Sequence, residues 1–455
     1  MSAADYKALY FKARTDYISI VKKAKEFGLT SIDLDVKDPK KVAIKDLKFN
    51  NTDNLYHHYF DENTIYQNIF NIDRKNDSSN NLAYINLLKG KDKATKVYTY
   101  QNDLTSLLYS IQNFEKEHFN NQKLPFEILM TDDSIVTIIT SALMCDNQPL
   151  KSDVNFSKNN DLIFQLVTFD NQIFIKQVIS TKELETPLTE REYAKMKFET
   201  VSSLSEPYAE FDADKFEKRF MKLPNQSKRC QSIKKQIINS QSVVVLGSDV
   251  SCIRGPDVID LHKKADLNYI KDRLTSANIN SQFIDEEYAQ TEDYDAFKYN
   301  GENSKYYLNK DIFKVIDTPD QAYQFEKFLF VKWLRAFISN VPSTVIGFVD
   351  DHYTLRGIEE YTTAEIPAFL LKYGRNAQLK TQLKEASNFY ARFIEWVKES
   401  VVNSKEERYY QMKFQNNYWH LIEVKDPEYI KNDGFDKVIS KDFKEWRNSL
   451  KTENI

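Results

Sequence analysis

The stretch Gln321-Ala-Tyr-Gln-Phe-Glu-Lys-Phe-Leu-Phe-Val-Lys-Trp-Leu-Arg-Ala-Phe-Ile-Ser339, followed by Thr344-Val-Ile-Gly-Phe348 and Thr354-Leu-Arg-Gly-Ile-Glu-Glu-Tyr361, decides the fold class. Its first part repeats apolar residues at three- and four-residue steps, the signature of a helix packed on a core. Its second and third parts are β-branched and aromatic runs divided by Asp350-Asp351-His352, the signature of two strands and a turn. A helix feeding a strand pair does not reduce to a bundle or to a sandwich. The same mixture recurs outward. Leu162–Thr168 and Ile173–Val178 read as strands joined through Asp170-Asn171, a hairpin turn. Helices are expected around Leu104, Leu107, Leu108, Ile111 and Phe114, and again after Asp132-Asp133-Ser134, which supply N-cap chemistry.

Ser242–Ile253 and Val258–Leu261 read as strands, and residues 275–310 as polar surface loop. Glu365–Lys372 is expected as a short helix. A long helix carrying Leu379, Leu383, Phe389, Phe393 and Val397 follows, then two strands flanking Asn416-Asn417 and an amphipathic helix around Phe443 and Trp446. At the other end, Tyr6, Leu9, Tyr10, Ala13, Tyr17, Val21, Ala24 and Phe27 keep helical spacing, with Gly28 as the cap. Without a regular βαβ alternation, the expected class is mixed α/β.

Composition bounds the function. The chain has 455 residues with 63 Lys+Arg against 67 Asp+Glu, so bulk charge alone does not hold it to nucleic acid. Three widely spaced cysteines, Cys145, Cys230 and Cys252, form neither a disulfide framework nor a zinc knuckle. No signal peptide and no long apolar span is found, which points to an intracellular protein with no membrane association. Phosphate-loop, HExxH and GxSxG motifs are absent. His57-His58 reads as an exposed loop pair, and Asp350-Asp351-His352 as turn chemistry.

The chemistry-bearing residues are acids near strand ends: Glu199 after Lys197-Phe198, Asp249 in Gly247-Ser248-Asp249-Val250-Ser251, and Asp260 in Val258-Ile259-Asp260-Leu261-His262. On a strand, i and i+2 share a face. Clustered carboxylates can hold divalent cations that activate water and neutralise phosphate charge.

Together with the 325–367 stretch, Lys197-Phe198-Glu199-Thr200, Leu204-Ser205-Glu206-Pro207, the 161–178 hairpin and Phe443–Lys451, these residues resemble the DXO family of decapping nucleases. Within that family they look like the fungal branch that is the partner protein of the nuclear 5′→3′ exoribonuclease. The resemblance implies one large domain over 51–451, with two mixed β-sheets, surrounding helices and a metal-dependent-nuclease-like core. Residues 1–50 would be a helical extension and 265–320 a surface insertion. It also implies nuclear localisation, action on RNA 5′ ends, a Mg²⁺ or Mn²⁺ site if active, and the exoribonuclease as partner.

Carried over by position, the family's Gly-x-hydrophobic-x-Glu motif falls on Lys195 to Glu199, so lysine replaces glycine. Glu-hydrophobic-Asp falls on Asp249-Val250-Ser251, and Glu-hydrophobic-Lys on Asp260-Leu261-His262. The arginine that meets the RNA 5′ end falls at Asp133, and a glutamine near the metals at Arg335. Lys195 can mean that close backbone approach is no longer needed, and Arg335 can simply lay its stem along apolar surface. His262 reads as an acid or base, or as an ordinary strand-end residue.

The departures imply a degenerate site. Its metal ligands would be Glu199, Asp249 and Asp260, with Arg335 pairing Glu199 or Asp260 in the metal's place. Two functions are thereby implied. The first is a non-catalytic or weakly catalytic partner that binds and supports the exoribonuclease. The second is an active divalent-metal-dependent hydrolase of RNA 5′ ends. RNA binding without cleavage is a third.

Overall fold

The computed structural model describes residues 6–10, 19–34, 42–46, 59–60, 85–94, 104–144, 162–179, 187–204, 224, 228–254, 307–402, 405–416 and 418–452. Two mixed sheets organise it. The larger has ten strands in the order β1-β16-β15-β6-β7-β5-β10-β9-β2-β3. They are β1 (Tyr6–Tyr10), β2 (Lys25–Leu34), β3 (Val42–Asp46), β5 (Ile128–Thr131), β6 (Leu162–Phe169), β7 (Gln172–Gln177), β9 (Lys228–Ile238), β10 (Ser242–Asp249), β15 (Arg408–Gln415) and β16 (Tyr418–Val424). The smaller has six, in the order β14-β13-β12-β11-β4-β8. These are β4 (Tyr59–Phe60), β8 (Ser203–Leu204), β11 (Cys252–Arg254), β12 (Tyr307–Lys314), β13 (Ser343–Val349) and β14 (Leu355–Thr362). Parallel pairs β5/β10 and β12/β13 sit among antiparallel ones, so both sheets are mixed.

Strand alternation divides the core. Ile128, Met130, Val244 and Leu246 point to one face of the large sheet. There they meet helices α2 (Asp132–Leu143), α4 (Pro319–Ile338) and α6 (Ala377–Ser400). Leu129 and Val245 point to the other face, against Leu107, Ile111 and Phe443. These residues belong to α1 (Thr105–Glu117) and α8 (Lys441–Thr452). A third apolar cluster joins α3 (Glu190–Val201) to the small sheet through Phe198, Ile312, Val345 and Leu355. Gly347 makes that approach possible: a Cβ there would lie 2.8 Å from Phe198 Cε2 and 3.0 Å from Leu355 Cδ1.

Turn chemistry matches the sequence reading, while the cap expected at Asp132-Asp133-Ser134 falls one residue earlier, on Thr131. Asp170 and Asn171 both take positive φ, 52° and 58°, as a two-residue hairpin turn requires. Asp350 accepts from the His352 and Thr354 amides and pairs with Arg356, so Asp350-Asp351-His352 is a turn. The cap of α2 is Thr131, whose side chain accepts from Ser134 N, and Asp132 and Asp133 occupy the first turn. The short helix is α5 (Ile366–Tyr373), and α7 (Pro427–Asn432) precedes the last helix.

Three expectations are corrected. The described residues of the expected N-terminal helix, 6–10 and 19–27, are not helical. Tyr6–Tyr10 pairs with β16, and Lys25–Leu34 pairs with β9 and β3. Gly28 lies beside a bulge in β2 rather than at a helix cap. Tertiary pairing overrides the helical spacing of an aromatic-rich segment. Second, Ser242–Ile253 is not one strand. It breaks at Val250-Ser251 and passes from the large sheet to the small one. Third, residues 307–314, placed within the expected loop and insertion, form β12 beside β13 and β11. Its polar residues misled the sequence reading because Lys310 and Asp311 are buried together with other charges. No described helix is long and apolar enough to cross a membrane.

Candidate functional site

The site lies where the two sheets meet. β5 and β10 run parallel, with Gly247 opposite Thr131, so their ends deliver Asp132, Asp133 and Asp249 to one place. The chain then crosses to β11, which pairs with β12, Cys252 opposite Leu308. Helix α3 packs on β12 and carries Arg191, Lys195 and Glu199 one turn apart, on one face. A capping box of Thr189 and Glu192 fixes its start. Helix α4 contributes Lys332 and Arg335. Its own capping box, Thr318 with Gln321, sets its start.

The charges in this cleft are paired. Arg335 bonds Asp133. Arg229 bonds Asp249. Asp311 bonds Lys332, and Lys195 Nζ stands 3.6 Å from it. Lys310 Nζ donates to Ser202 O and Ser203 Oγ, both at 2.8 Å, and so ties β12 to the end of α3. Asp132 accepts from Ser339 Oγ.

Burial and charge set the protonation of each group. Burial pushes the Asp132 carboxyl up to about 7, with Asp133 adding to the rise against Arg335. Burial also raises Glu199, reinforced by Asp311 and Asp249 and opposed by Lys195 and Lys310. Burial would raise Asp311 too, yet Lys195, Lys332 and Arg191 outweigh it and hold that carboxyl far below the usual range. Lys332 falls to about 8 because it is desolvated, with Asp311 opposing the fall.

The expected site residues are thus only partly gathered. Glu199, Asp249, Lys195, Asp133 and Arg335 do converge. Asp260 and His262 lie outside the described residues. Arg335 was expected to pair with Glu199 or Asp260, but it pairs with Asp133, because α2 and α4 pack side by side. Asp133 and Arg335, expected from the resemblance at the family's arginine and glutamine positions, bond each other. The sequence reading missed Asp311, Lys310, Lys332 and Arg191. A faint signal was present: Tyr307-Leu308 and Ile312-Phe313 bracket the polar Asn309-Lys310-Asp311 as a strand would.

Among the described residues, which leave out the expected ligand Asp260, the donor set does not fit a divalent cation. Asp133, Asp249 and Asp311 each already hold an ammonium or guanidinium of this chain. Among the described residues, no group of three or more His, Cys, Asp or Glu is placed to hold a metal ion. No chemical step is therefore routed through one.

Comparison with known proteins gives the site its context. A profile of RAI1-like PD-(D/E)XK nucleases matches residues 47–444. The decapping nuclease RAI1 of Kluyveromyces lactis is 26% identical over 384 residues, covering 81% of this chain and 85% of the relative. The Saccharomyces cerevisiae decapping nuclease RAI1 is 26% identical over 310 residues, 64% of this chain and 69% of that one. Candida albicans Rai1, solved in complex with pU5-Mn²⁺, superposes with TM-score 0.69 at 20% identity, covering 98% of this chain and 99% of that structure. Scheffersomyces stipitis Rai1, solved with (3′-NADP)⁺ and calcium ion, gives TM-score 0.65 at 21% identity, with coverage of 97% and 100%. These two superpositions establish the shared fold. The resemblance read from the motif residues is borne out, and the chain belongs to the family of RAI1-like PD-(D/E)XK nucleases.

Proposed function

We propose that this chain is a non-catalytic or weakly catalytic member of its family. Its role is to bind and support the nuclear 5′→3′ exoribonuclease in RNA 5′-end quality control and processing, and its place is the nucleus. One observation carries the reading: Asp133, Asp249 and Asp311 are each neutralised by a cation of the same chain. A hydrolase of RNA 5′ ends needs its carboxylates free to organise metal ions and water. A scaffold needs only the fold. Family membership alone would not decide between these roles, since a fold hosts more than one function.

Binding to the purified exoribonuclease of the same organism tests the reading. A one-to-one complex is expected, with a raised thermal midpoint for the exoribonuclease, because a partner that binds only the folded state stabilises it. An exoribonuclease that neither binds nor gains stability contradicts the proposal.

The active reading keeps one supporting observation. Asp249 Oδ1 is buried with no hydrogen-bond partner. A free carboxylate oxygen at this point is where a weak divalent site would start, with Glu199 beside it. On that reading Glu199, Asp249 and Asp260, the last outside the described residues, would be the ligands and RNA 5′ ends the substrate.

A further inference from the structure

Asp311 draws more cationic charge than any other acid of the cleft. Lys332 bonds it, Lys195 Nζ stands 3.6 Å away, and Arg191 acts on it from the same helix face as Lys195. Burial separates this arrangement from an ordinary surface pair. The Asp311 side chain is 4% exposed and that of Lys332 13%. Lys332 Nζ also lies 4.8 Å from the centre of the Phe328 ring, which supplies the face that a desolvated ammonium favours. Both residues sit on regular elements, β12 and α4, so neither head group is free to drift.

Three facts bear on what this cluster replaces. β12 pairs with β11, and β11 follows directly from Asp249-Val250-Ser251. Asp311 and Asp249 both act on Glu199, so these acids share one field. And among the described residues three of these acids are answered by side chains of this chain: Lys332 and Lys195 at Asp311, Arg335 at Asp133, Arg229 at Asp249.

We propose that Lys332, with Lys195 beside it, is a tethered replacement for a divalent cation in this cleft. The inference rests on the non-catalytic reading and deepens it, by naming what keeps the carboxylates together. An ammonium neutralises a carboxylate and donates hydrogen bonds, so Asp311 stays buried without a metal. It has no open coordination position, so it neither binds water as a Lewis acid nor lowers that water's pKa. The fold keeps the electrostatic half of a metal's work and gives up the chemical half. A metal-free site that is already satisfied gains nothing from added cation.

The test is Mn²⁺ binding to the full chain, read by electron paramagnetic resonance and calorimetry, for wild type, Lys332→Met, Lys195→Ala and Lys332→Arg. Methionine keeps the buried stem and removes the charge; arginine keeps the charge. Wild type is expected to bind no Mn²⁺ in the micromolar range. Lys332→Met and Lys195→Ala are expected to tighten Mn²⁺ binding by about tenfold or more, the scale on which neighbours tune metal sites. Lys332→Arg should behave as wild type. If Lys332→Met does not fold, Lys195→Ala decides, because its side chain is 36% exposed and can be cut back without opening the core. Folded variants with no gain overturn the tethered-cation inference and leave the non-catalytic reading standing. Micromolar Mn²⁺ binding by wild type overturns both.

Discussion

Asp311→Asn is expected to lower folding stability by about 3–5 kcal/mol, the cost of removing one partner from a buried ion pair. The reason lies in what remains. Lys332 is nearly enclosed, and Lys195 and Arg191 face the same point from α3. Without the carboxylate, like charges confront each other across a poorly solvated gap. Asparagine keeps the shape, so the loss reports charge rather than volume. Urea unfolding near neutral pH measures it. The pH dependence has a definite sign. Burial acts to raise the Asp311 carboxyl, but the surrounding cations hold it far below the ordinary range. Folding therefore favours the ionised form, and that stability is present above the ordinary carboxylate pKa of about 3.9. It is lost as pH falls below that value. The acid limb should be shallower in Asp311→Asn than in wild type. Asp132 acts in the opposite sense. Its carboxyl, pushed up to about 7 mainly by burial, costs stability as pH rises through that value. A variant as stable as wild type would mean that the cluster is not a structural strut.

Arg447→Ala is expected to cost a similar amount, about 3–5 kcal/mol, on the face of the large sheet that α1 and α8 cover. Arg447 and Glu115 are both fully enclosed. Arg447 Nη2 donates to Glu115 Oε1 at 2.5 Å and Nε to Oε2 at 2.9 Å, a two-pronged contact between α8 and α1. Trp446 Nε1 donates to the same carboxylate at 3.0 Å, and Leu124 N at 2.9 Å. Arg447 Nη1 reaches Gln172 Oε1 at 3.0 Å, and the guanidinium sits 4.8 Å over the Phe443 ring. Alanine leaves Glu115 buried and without its cation. Thermal unfolding gives the magnitude, and hydrogen exchange gives the location. Faster exchange should concentrate in Lys441–Leu450 and around Leu124. A change within about 0.5 kcal/mol, the range of unremarkable surface substitutions, would show that the clamp is dispensable.

How much of this was legible beforehand follows from the kind of signal each element sends. Apolar periodicity announced α4, α6 and the β6–β7 hairpin, because their patterns answer to a single core face. The same rule failed for Tyr6–Phe27. Widely spaced aromatics fit a helix, but the hydrogen bonds that win are those offered by β16 and β9, far along the chain. It failed again at β12. A buried strand that carries Lys310 and Asp311 looks like surface until the charges that satisfy it are known. Glu199, Lys195, Asp249, Asp133 and Arg335 were found through the family's motifs. Their pairing was not legible, since motif order does not say which side chains meet across elements. Arg335 with Asp133 could be seen only once α2 and α4 were side by side.

The most direct measurement is hydrolysis of 5′-triphosphate RNA and of unmethylated-capped RNA by the purified chain, with Mg²⁺ or Mn²⁺, beside a Glu199→Ala control. The expected result is no product from either protein, even at protein levels near those of the RNA. Multiple-turnover product formed by wild type and abolished by Glu199→Ala would contradict the account and make this chain a working 5′-end hydrolase.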